Sequence, residues 1–111
     1  MNKNLKVSVV TVTKNSEKFL EENLQSLKNQ TYRNFEHIII DGKSTDKTVE
    51  ILKKYSDQIH FWKSETDSSL YEAMNKGISK STGDIIGILN SDDIYYPKAL
   101  SIVNDYFSNY P

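Results

Sequence analysis

The chain has 111 residues, of which 37% are hydrophobic and 26% are charged, and its formal net charge is −1. This length suits one modest domain, and a near-neutral chain with scattered basic residues lacks the electrostatic signature of nucleic-acid binding. The sequence has no cysteine, which excludes a disulfide framework, a thiol nucleophile and a cysteine-based zinc site. No apolar run approaches the ~20 residues of a membrane span, and the first residues lack a signal-peptide core, so we expect a cytoplasmic protein.

Four short runs rich in β-branched and aromatic residues predict strands, and segments of helical period follow each of them. The strands are expected at 6–12, 35–41, 59–63 and 84–90. The helices are expected at 16–30, 46–55, 68–81 and from Pro97 onward. The first, second and fourth strands are apolar almost throughout, which is typical of strands buried on both faces of a parallel sheet. The order predicts an α/β domain with a mostly parallel sheet and helices on both faces.

Residues of the helix-capping type precede the first two predicted helices. Asn15 and Ser16 come before the first, and Ser44, Thr45 and Asp46 come before the second. Asp46 is therefore better explained as a cap than as a ligand.

Polar side chains follow every predicted strand. In an open parallel sheet, ligands bind beyond the carboxyl ends of the strands. We expect the acids of these turns to converge on one rim of the sheet, and they are Asp41, Asp46, Glu65, Asp67, Asp92 and Asp93.

The fourth strand region, GDIIGILNSDD, ends on two adjacent carboxylates, Asp92 and Asp93. Adjacent carboxylates repel, and at a partly buried strand end they need a neutralising partner, yet no basic residue follows before Lys98. A hard divalent cation such as Mn²⁺ or Mg²⁺ would neutralise them, because such ions prefer carboxylate and water oxygens. The alternative is an exposed acidic turn that precedes the helix starting at Pro97.

Other side chains are open to a binding role or a packing role. Asp67 could contact a ligand, and Asn75 and Lys76 could project from the third helix toward the same rim, although periodicity favours an ordinary amphipathic helix for these two residues. His37 and His60 are expected to be structural, because no third imidazole or cysteine would complete a zinc site.

Several ordered motifs resemble the nucleotide-binding half of the family 2 glycosyltransferases, inverting enzymes with the Rossmann-like GT-A fold. These motifs are VSVVTVTKNSEKFL, FEHIIIDGKSTDKTVEIL and SETDSSLYEAMNKGISKSTGDIIGILNSDDIYYP. The resemblance implies that residues 1–111 form one nucleotide-sugar-binding portion, about half of the usual domain. It also implies transfer of a sugar from a nucleoside-diphosphate donor, expected to be UDP-linked, to a glycan or lipid-linked acceptor, with Mn²⁺ or Mg²⁺ as cofactor.

The resemblance assigns roles to individual residues. Those implied to contact the nucleotide sugar are Thr11, Thr13, Asn15, Asp41, Asp67, Asn90 and Asp92. Those implied to hold the metal are Asp92 and its neighbour Asp93. The chain departs from the family pattern at three positions. Gly42 replaces an acid that pairs with uracil, Asn90 replaces the first acid of an Asp-x-Asp-type motif, and Ser69 replaces a common glycine.

The family uses a carboxylate well beyond the metal motif as the general base that deprotonates the acceptor hydroxyl. We therefore expect the base beyond residue 111, and membrane association, at the cytoplasmic face, only through parts outside the chain. Two other classes compete with this interpretation. A nucleotidyltransferase would need a glycine-rich basic loop after the first strand, and a response-regulator-like module would need an acid pair there. The turn TVTKNS has neither.

Overall fold

A computed structural model describes residues 3–110 of the protein. Its single sheet has four parallel strands in the order β3-β2-β1-β4. The strands are β1 (Val7–Thr13), β2 (Phe35–Asp41), β3 (Phe61–Ser64) and β4 (Ile85–Ile88). The helices are α1 (Leu20–Lys28), α2 (Thr48–Lys54), α3 (Leu70–Lys80) and α4 (Ala99–Asn109), with a short 3₁₀ turn at Ser56–Gln58. The predicted α/β class and the parallel sheet are confirmed.

Helices cover both faces of the two central strands, as the sequence predicts. Ile39 of β2 packs with Leu24 and Leu52 on one face. Ile38 and Ile40 point to the opposite face, because side chains alternate along a strand, and they pack with Ala73 of α3. The β1 and β2 runs are therefore apolar almost throughout because neither face meets water.

The backbone of α3 lies unusually close to the sheet at Gly77. This glycine is buried, and a Cβ added to it would overlap Cγ1 of Val10. The absence of a side chain is thus what lets α3 settle against β1.

The fourth strand differs from its prediction. It is shorter than 84–90, and it pairs only with β1 in the part of the chain that the structure describes. Ile86 and Ile88 are 44% and 42% exposed. The expectation that this strand is buried on both faces is wrong, because α3 packs over β1 and β2 instead and apolar composition does not show which strand forms an edge.

The first two helices start later than expected. Residues 16–19 form a turn in which the Ser16 carbonyl accepts hydrogen bonds from the amides of Phe19 and Leu20, at 3.1 and 3.0 Å. The N-cap residue of α2 is Lys47, not Asp46, but the Asp46 carboxylate accepts a 2.9 Å hydrogen bond from the amide of Thr48, the first residue of the helix. Across residues 3–110, no helix combines the length and the apolar character needed to cross a membrane.

Candidate functional site

The carboxyl ends of the four strands lie at one edge of the sheet, which we call the rim. It consists of the segments 14–19, 42–47, 65–69 and 89–98 that follow β1, β2, β3 and β4. Because all four strands are parallel, every polar turn that was predicted to carry a functional side chain lies at this edge.

Asp41 ties three strand ends together at the rim. Its side chain is fully buried, and one carboxylate oxygen accepts hydrogen bonds of 2.6 Å from both Thr13 Oγ1 and Ser44 Oγ. The other oxygen accepts from the Ser44 amide at 2.9 Å and from Ser64 Oγ at 2.7 Å. Burial opposes ionisation, but these hydrogen bonds outweigh it and lower the pKa of Asp41 below its usual value. Asp41 and Thr13 therefore shape the rim, and direct contact with a nucleotide stays a prediction for both.

Thr11 lies inside the sheet rather than at its edge. It is fully buried, and its hydroxyl is 2.9 Å from His37 Nε2. Burial, together with the neighbouring His60, lowers the pKa of His37 to about 3, so this ring is neutral near pH 7. His60 Nδ1 in turn accepts a 2.9 Å hydrogen bond from the His37 amide. These contacts are consistent with the structural role predicted for both histidines, and a nucleotide contact by Thr11 stays a prediction.

Asn15 is exposed on the rim and links the first two turns. It adopts a left-handed backbone conformation with φ of 50°. Its side-chain oxygen accepts a 2.8 Å hydrogen bond from the Thr45 amide, and its own amide donates at 2.8 Å to Ser44 Oγ. Asn15 thus binds across to the second turn instead of capping α1, as its position before that helix suggested.

A cavity of about 540 Å³ opens at the rim between the first two turns and the start of α3. Its lining residues are Val12, Thr13, Lys14, Gly42, Lys43, Thr66, Asp67, Ser69, Leu70 and Ala73. The side chain of Asp67 is only 6% exposed, and its Oδ1 pairs with Lys76 Nζ. Its Oδ2 is buried and accepts no hydrogen bond from any residue in 3–110. A buried acceptor without a partner is costly, and it marks a position where a ligand donor would be stabilised.

Lys76 connects the cavity to α3. Besides Asp67, its ammonium lies 2.8 Å from Glu65 Oε1 and 3.4 Å from Glu72 Oε1. Hydrogen bonds to Asp67 and Glu65 raise the pKa of Lys76, so it stays charged. The amphipathic helix is found as predicted, and on it Lys76 also reaches the rim acids, whereas Asn75 is exposed.

Asp92 and Asp93 lie in an exposed turn over residues 90–93. The turn is closed by a 3.0 Å hydrogen bond from the Asp93 amide to the Asn90 carbonyl, and Asn90 Nδ2 lies 3.4 Å from Asp93 Oδ2. Both acids are exposed. The expectation of a partly buried pair is wrong because β4 ends at Ile88 and the turn faces solvent.

The rim acids do not form one cluster. Within residues 3–110, no group of three His, Cys, Asp or Glu side chains could hold a metal ion, so the six acids share the rim, as predicted, without forming a metal-binding cluster. The Asp92 carboxylate has no hydrogen-bond or ion-pair partner among these residues. A hard dication commonly takes one or two protein carboxylates and completes its shell with phosphate and water oxygens. Asp92 and Asp93 fit that partial role.

A sequence profile of glycosyl transferase family 2 matches residues 8–111. The chain belongs to this family. EpsE of Bacillus subtilis (strain 168), a relative named as a glycosyltransferase, is 38% identical over 104 residues, which cover 90% of this chain and 37% of EpsE. The chain spans about a third of the length of the curated relatives it matches.

Solved structures confirm the GT-A fold of this family 2 chain. S. aureus TarS in complex with UDP-GlcNAc is 27% identical, with a TM-score of 0.87 over 94% of this chain and 31% of that one. The mannosyltransferase PcManGT from Pyrobaculum calidifontis, in complex with GDP-Man and Mn²⁺, is 21% identical, with a TM-score of 0.81. The match covers all of this chain and 35% of PcManGT. At that identity the likeness to PcManGT shows the fold alone.

No role was predicted from the sequence for Lys14 and Lys43, which line the cavity, or for Asn23. Asn23 of α1 is fully buried, and its side-chain amide donates to the carbonyls of Asn90 and Asp93, at 3.0 and 3.1 Å. A signal was present, because Asn23 lies on the same stripe of α1 as Leu20, Leu24 and Leu27. An amide on an otherwise apolar stripe indicates that something polar lies opposite.

Proposed function

We propose that this chain is the donor-binding portion of a metal-dependent glycosyltransferase that takes a sugar from a UDP-linked donor. Membership of family 2 supports sugar transfer, and the likeness to TarS with bound UDP-GlcNAc supports the uridine nucleotide. The single observation that carries the proposal is the unpartnered Asp67 Oδ2 in the rim cavity. A volume of about 540 Å³ is ordinary for a small-molecule site.

The cavity offers suitable chemistry for a nucleotide. Asp67 Oδ2 would accept a hydrogen bond from an N–H of the base or an O–H of the ribose, and Lys76 holds the other oxygen of this carboxylate. Lys14 and Lys43 line the same cavity, and their charge would offset that of a diphosphate. Thr13, Asn15 and Asp41 would hold the walls in place through the hydrogen bonds that join the first two turns.

The exposed turn over residues 90–93, which we call the acid turn, would hold the dication. Asp92 is the proposed main ligand, because its carboxylate is exposed and unpartnered within the described residues, and Asp93 and Asn90 supply neighbouring oxygens. A bound Mn²⁺ or Mg²⁺ would stabilise the negative charge on the diphosphate leaving group. Asp92 and Asp93 would bind the ion at the rim, where the cavity also opens, and the cavity residues would hold the donor.

Transfer also needs an acceptor and a general base. We propose a glycan or lipid-linked acceptor, and a carboxylate beyond residue 111 that takes the proton from its hydroxyl. Residues 1–111 alone would then bind the donor without turnover. A cytoplasmic location belongs to the same proposal.

Calorimetric titration of UDP into the chain, with and without Mn²⁺, tests the proposal. Mn²⁺ should tighten UDP binding, and Asp92→Ala should remove that gain while leaving metal-free binding unchanged. Asp67→Asn should weaken UDP binding under both conditions, since it alters the acceptor in the cavity. Asp57→Ala is the matched control, because Asp57 is an exposed acid in the 3₁₀ turn before β3, away from the rim. If neither Mn²⁺ nor the Asp92 substitution changes the UDP affinity, the acid turn has no role in binding the metal.

A further inference from the structure

We propose that Asn23 is a positioning residue that holds the acid turn 90–93 in the geometry needed for the dication. This inference rests on the proposed function and assigns a role to a residue that contacts neither the metal nor the nucleotide. The side chain of Asn23 donates to the first and last carbonyls of the turn, those of Asn90 at 3.0 Å and Asp93 at 3.1 Å. One amide group thus clamps both ends of the turn that carries Asp92.

The burial of Asn23 indicates that the clamp has a function beyond packing. Asn23 is fully buried on the stripe that also contains Leu24 and Leu27, where a leucine would pack without any polar group to satisfy. Its Oδ1 is buried and has no hydrogen-bond partner in the part of the chain that is described, which is an unfavourable state for a polar atom. An amide at this position is therefore explained by its two N–H donors and not by its oxygen.

Two other polar side chains, Ser26 of α1 and Gln30 just after it, contact the segment that follows the acid turn. Ser26 Oγ accepts a 3.2 Å hydrogen bond from the Tyr95 amide. Gln30 donates to the Tyr96 carbonyl at 2.7 Å and accepts from the Leu100 amide at 3.1 Å. These contacts fix the path into α4, whereas the contact of Asn23 is with the acid turn itself. Asn23 therefore has a role at the turn, whereas Ser26 and Gln30 have a role in the fold.

The physical consequence concerns the order of the turn before metal binding. The turn is exposed and carries two like charges, so without an anchor it would sample several conformations. Besides Asn23, a 2.9 Å contact between the hydroxyls of Ser16 and Ser91 restrains it from the side of β1. Fixing the backbone on either side of Asp92 reduces the ordering entropy that a dication would otherwise have to offset. Asn23 thereby affects metal affinity through the backbone carbonyls of the turn, without contacting the metal itself.

The test compares Asn23→Leu with Gln30→Leu in the 111-residue chain. UDP affinity is measured calorimetrically with and without Mn²⁺, and unfolding by urea reports the stability of each variant. Asn23→Leu should reduce the gain in UDP affinity from Mn²⁺ by about 10-fold, as expected for a residue behind a metal ligand, and leave metal-free UDP affinity unchanged. Gln30→Leu should lower stability and leave the gain from Mn²⁺ unchanged. Asn23→Ser, whose hydroxyl is too short to reach both carbonyls, replaces Asn23→Leu if that variant does not fold.

The outcomes separate this inference from the proposed function. If the wild-type chain gains UDP affinity from Mn²⁺ and the Asn23 variant gains as much, the positioning role is wrong and the function stands. If both variants lose the gain equally, Asn23 acts only through stability and the inference is again wrong. If Mn²⁺ does not change UDP affinity in the wild-type chain, the acid turn holds no metal and both proposals fail.

Discussion

The hydroxyl of Thr13 donates a 2.6 Å hydrogen bond to the carboxylate of Asp41, joining the carboxyl ends of β1 and β2. Both residues are fully buried. Ser44 and Ser64 complete the shell of the same carboxylate, so three strand ends depend on one acid. The shape of the rim is thus set by a buried charge whose partners are all hydroxyls and amides, and each link can be tested separately.

Asp41→Asn should lower the free energy of unfolding by about 2–3 kcal/mol, because an NH₂ group replaces an oxygen that accepts two hydrogen bonds and the charge assistance is lost. The measurement is urea unfolding at pH 7. Asp92→Asn is the matched control and should change stability little, since Asp92 is exposed. Equal stability of the two variants would show that the Asp41 shell does not hold the strand ends together.

His37 should make the protein sensitive to mild acid. Its pKa is about 3 in the folded chain and about 6.5 when unfolded, so protonation favours unfolding. Stability is complete above pH 6.5 and should fall toward pH 3, with His37 contributing up to about 1.4 kcal/mol per pH unit. Urea unfolding between pH 7 and 5, where most carboxylates do not yet titrate, measures this slope.

His37→Gln should be less stable at pH 7 but should show a flatter pH dependence than the wild type. His60→Gln serves as the comparison. Burial also lowers the pKa of His60, but this residue is the more exposed of the two, so its variant should keep most of the slope. An unchanged slope in His37→Gln would contradict the assignment of acid sensitivity to the buried ring.

Gly77→Ala should destabilise the chain although alanine favours helix formation by about 1 kcal/mol. The added Cβ would overlap the side chain of Val10, so α3 would have to move away from the sheet, which typically costs about 1–3 kcal/mol. Asn75→Ala on the same helix is the control, because Asn75 is exposed and its replacement should be neutral or slightly stabilising. Thermal unfolding of both variants decides the matter, and a more stable Gly77→Ala would refute the close approach.

Lys76→Met should lower the unfolding midpoint and weaken UDP binding in the absence of metal. The substitution leaves Asp67, which is only 6% exposed, without its cationic partner and releases Glu65 and Glu72 as well. Lys63→Met is the control. Lys63 is 57% exposed, and its ammonium lies 3.2 Å from Glu65 Oε2, so this surface ion pair should contribute little. Calorimetry and thermal unfolding measure both effects. Equal UDP affinity in the two variants would contradict a role of Lys76 in holding Asp67.

The sequence by itself determined the order of elements, the parallel sheet and the family. Apolar runs and helical period depend on neighbours a few residues apart, which is why the β1 and β2 runs and the helix stripes could be predicted. The placement of every polar turn on one rim follows from the parallel order alone.

Only the tertiary structure decided which of these polar side chains are free to bind a ligand and which are already hydrogen-bonded within the protein. Asp41 and Asp92 look alike in sequence, yet one is buried beneath hydroxyls contributed by three strand ends and the other faces solvent. The clamp of Asn23 on Asp93 joins residues 70 positions apart, and the exposure of Ile86 depends on where α3 lies. The physical reason is that a hydrogen-bond partner or a covering helix is set by contacts distant along the chain, which local spacing does not encode.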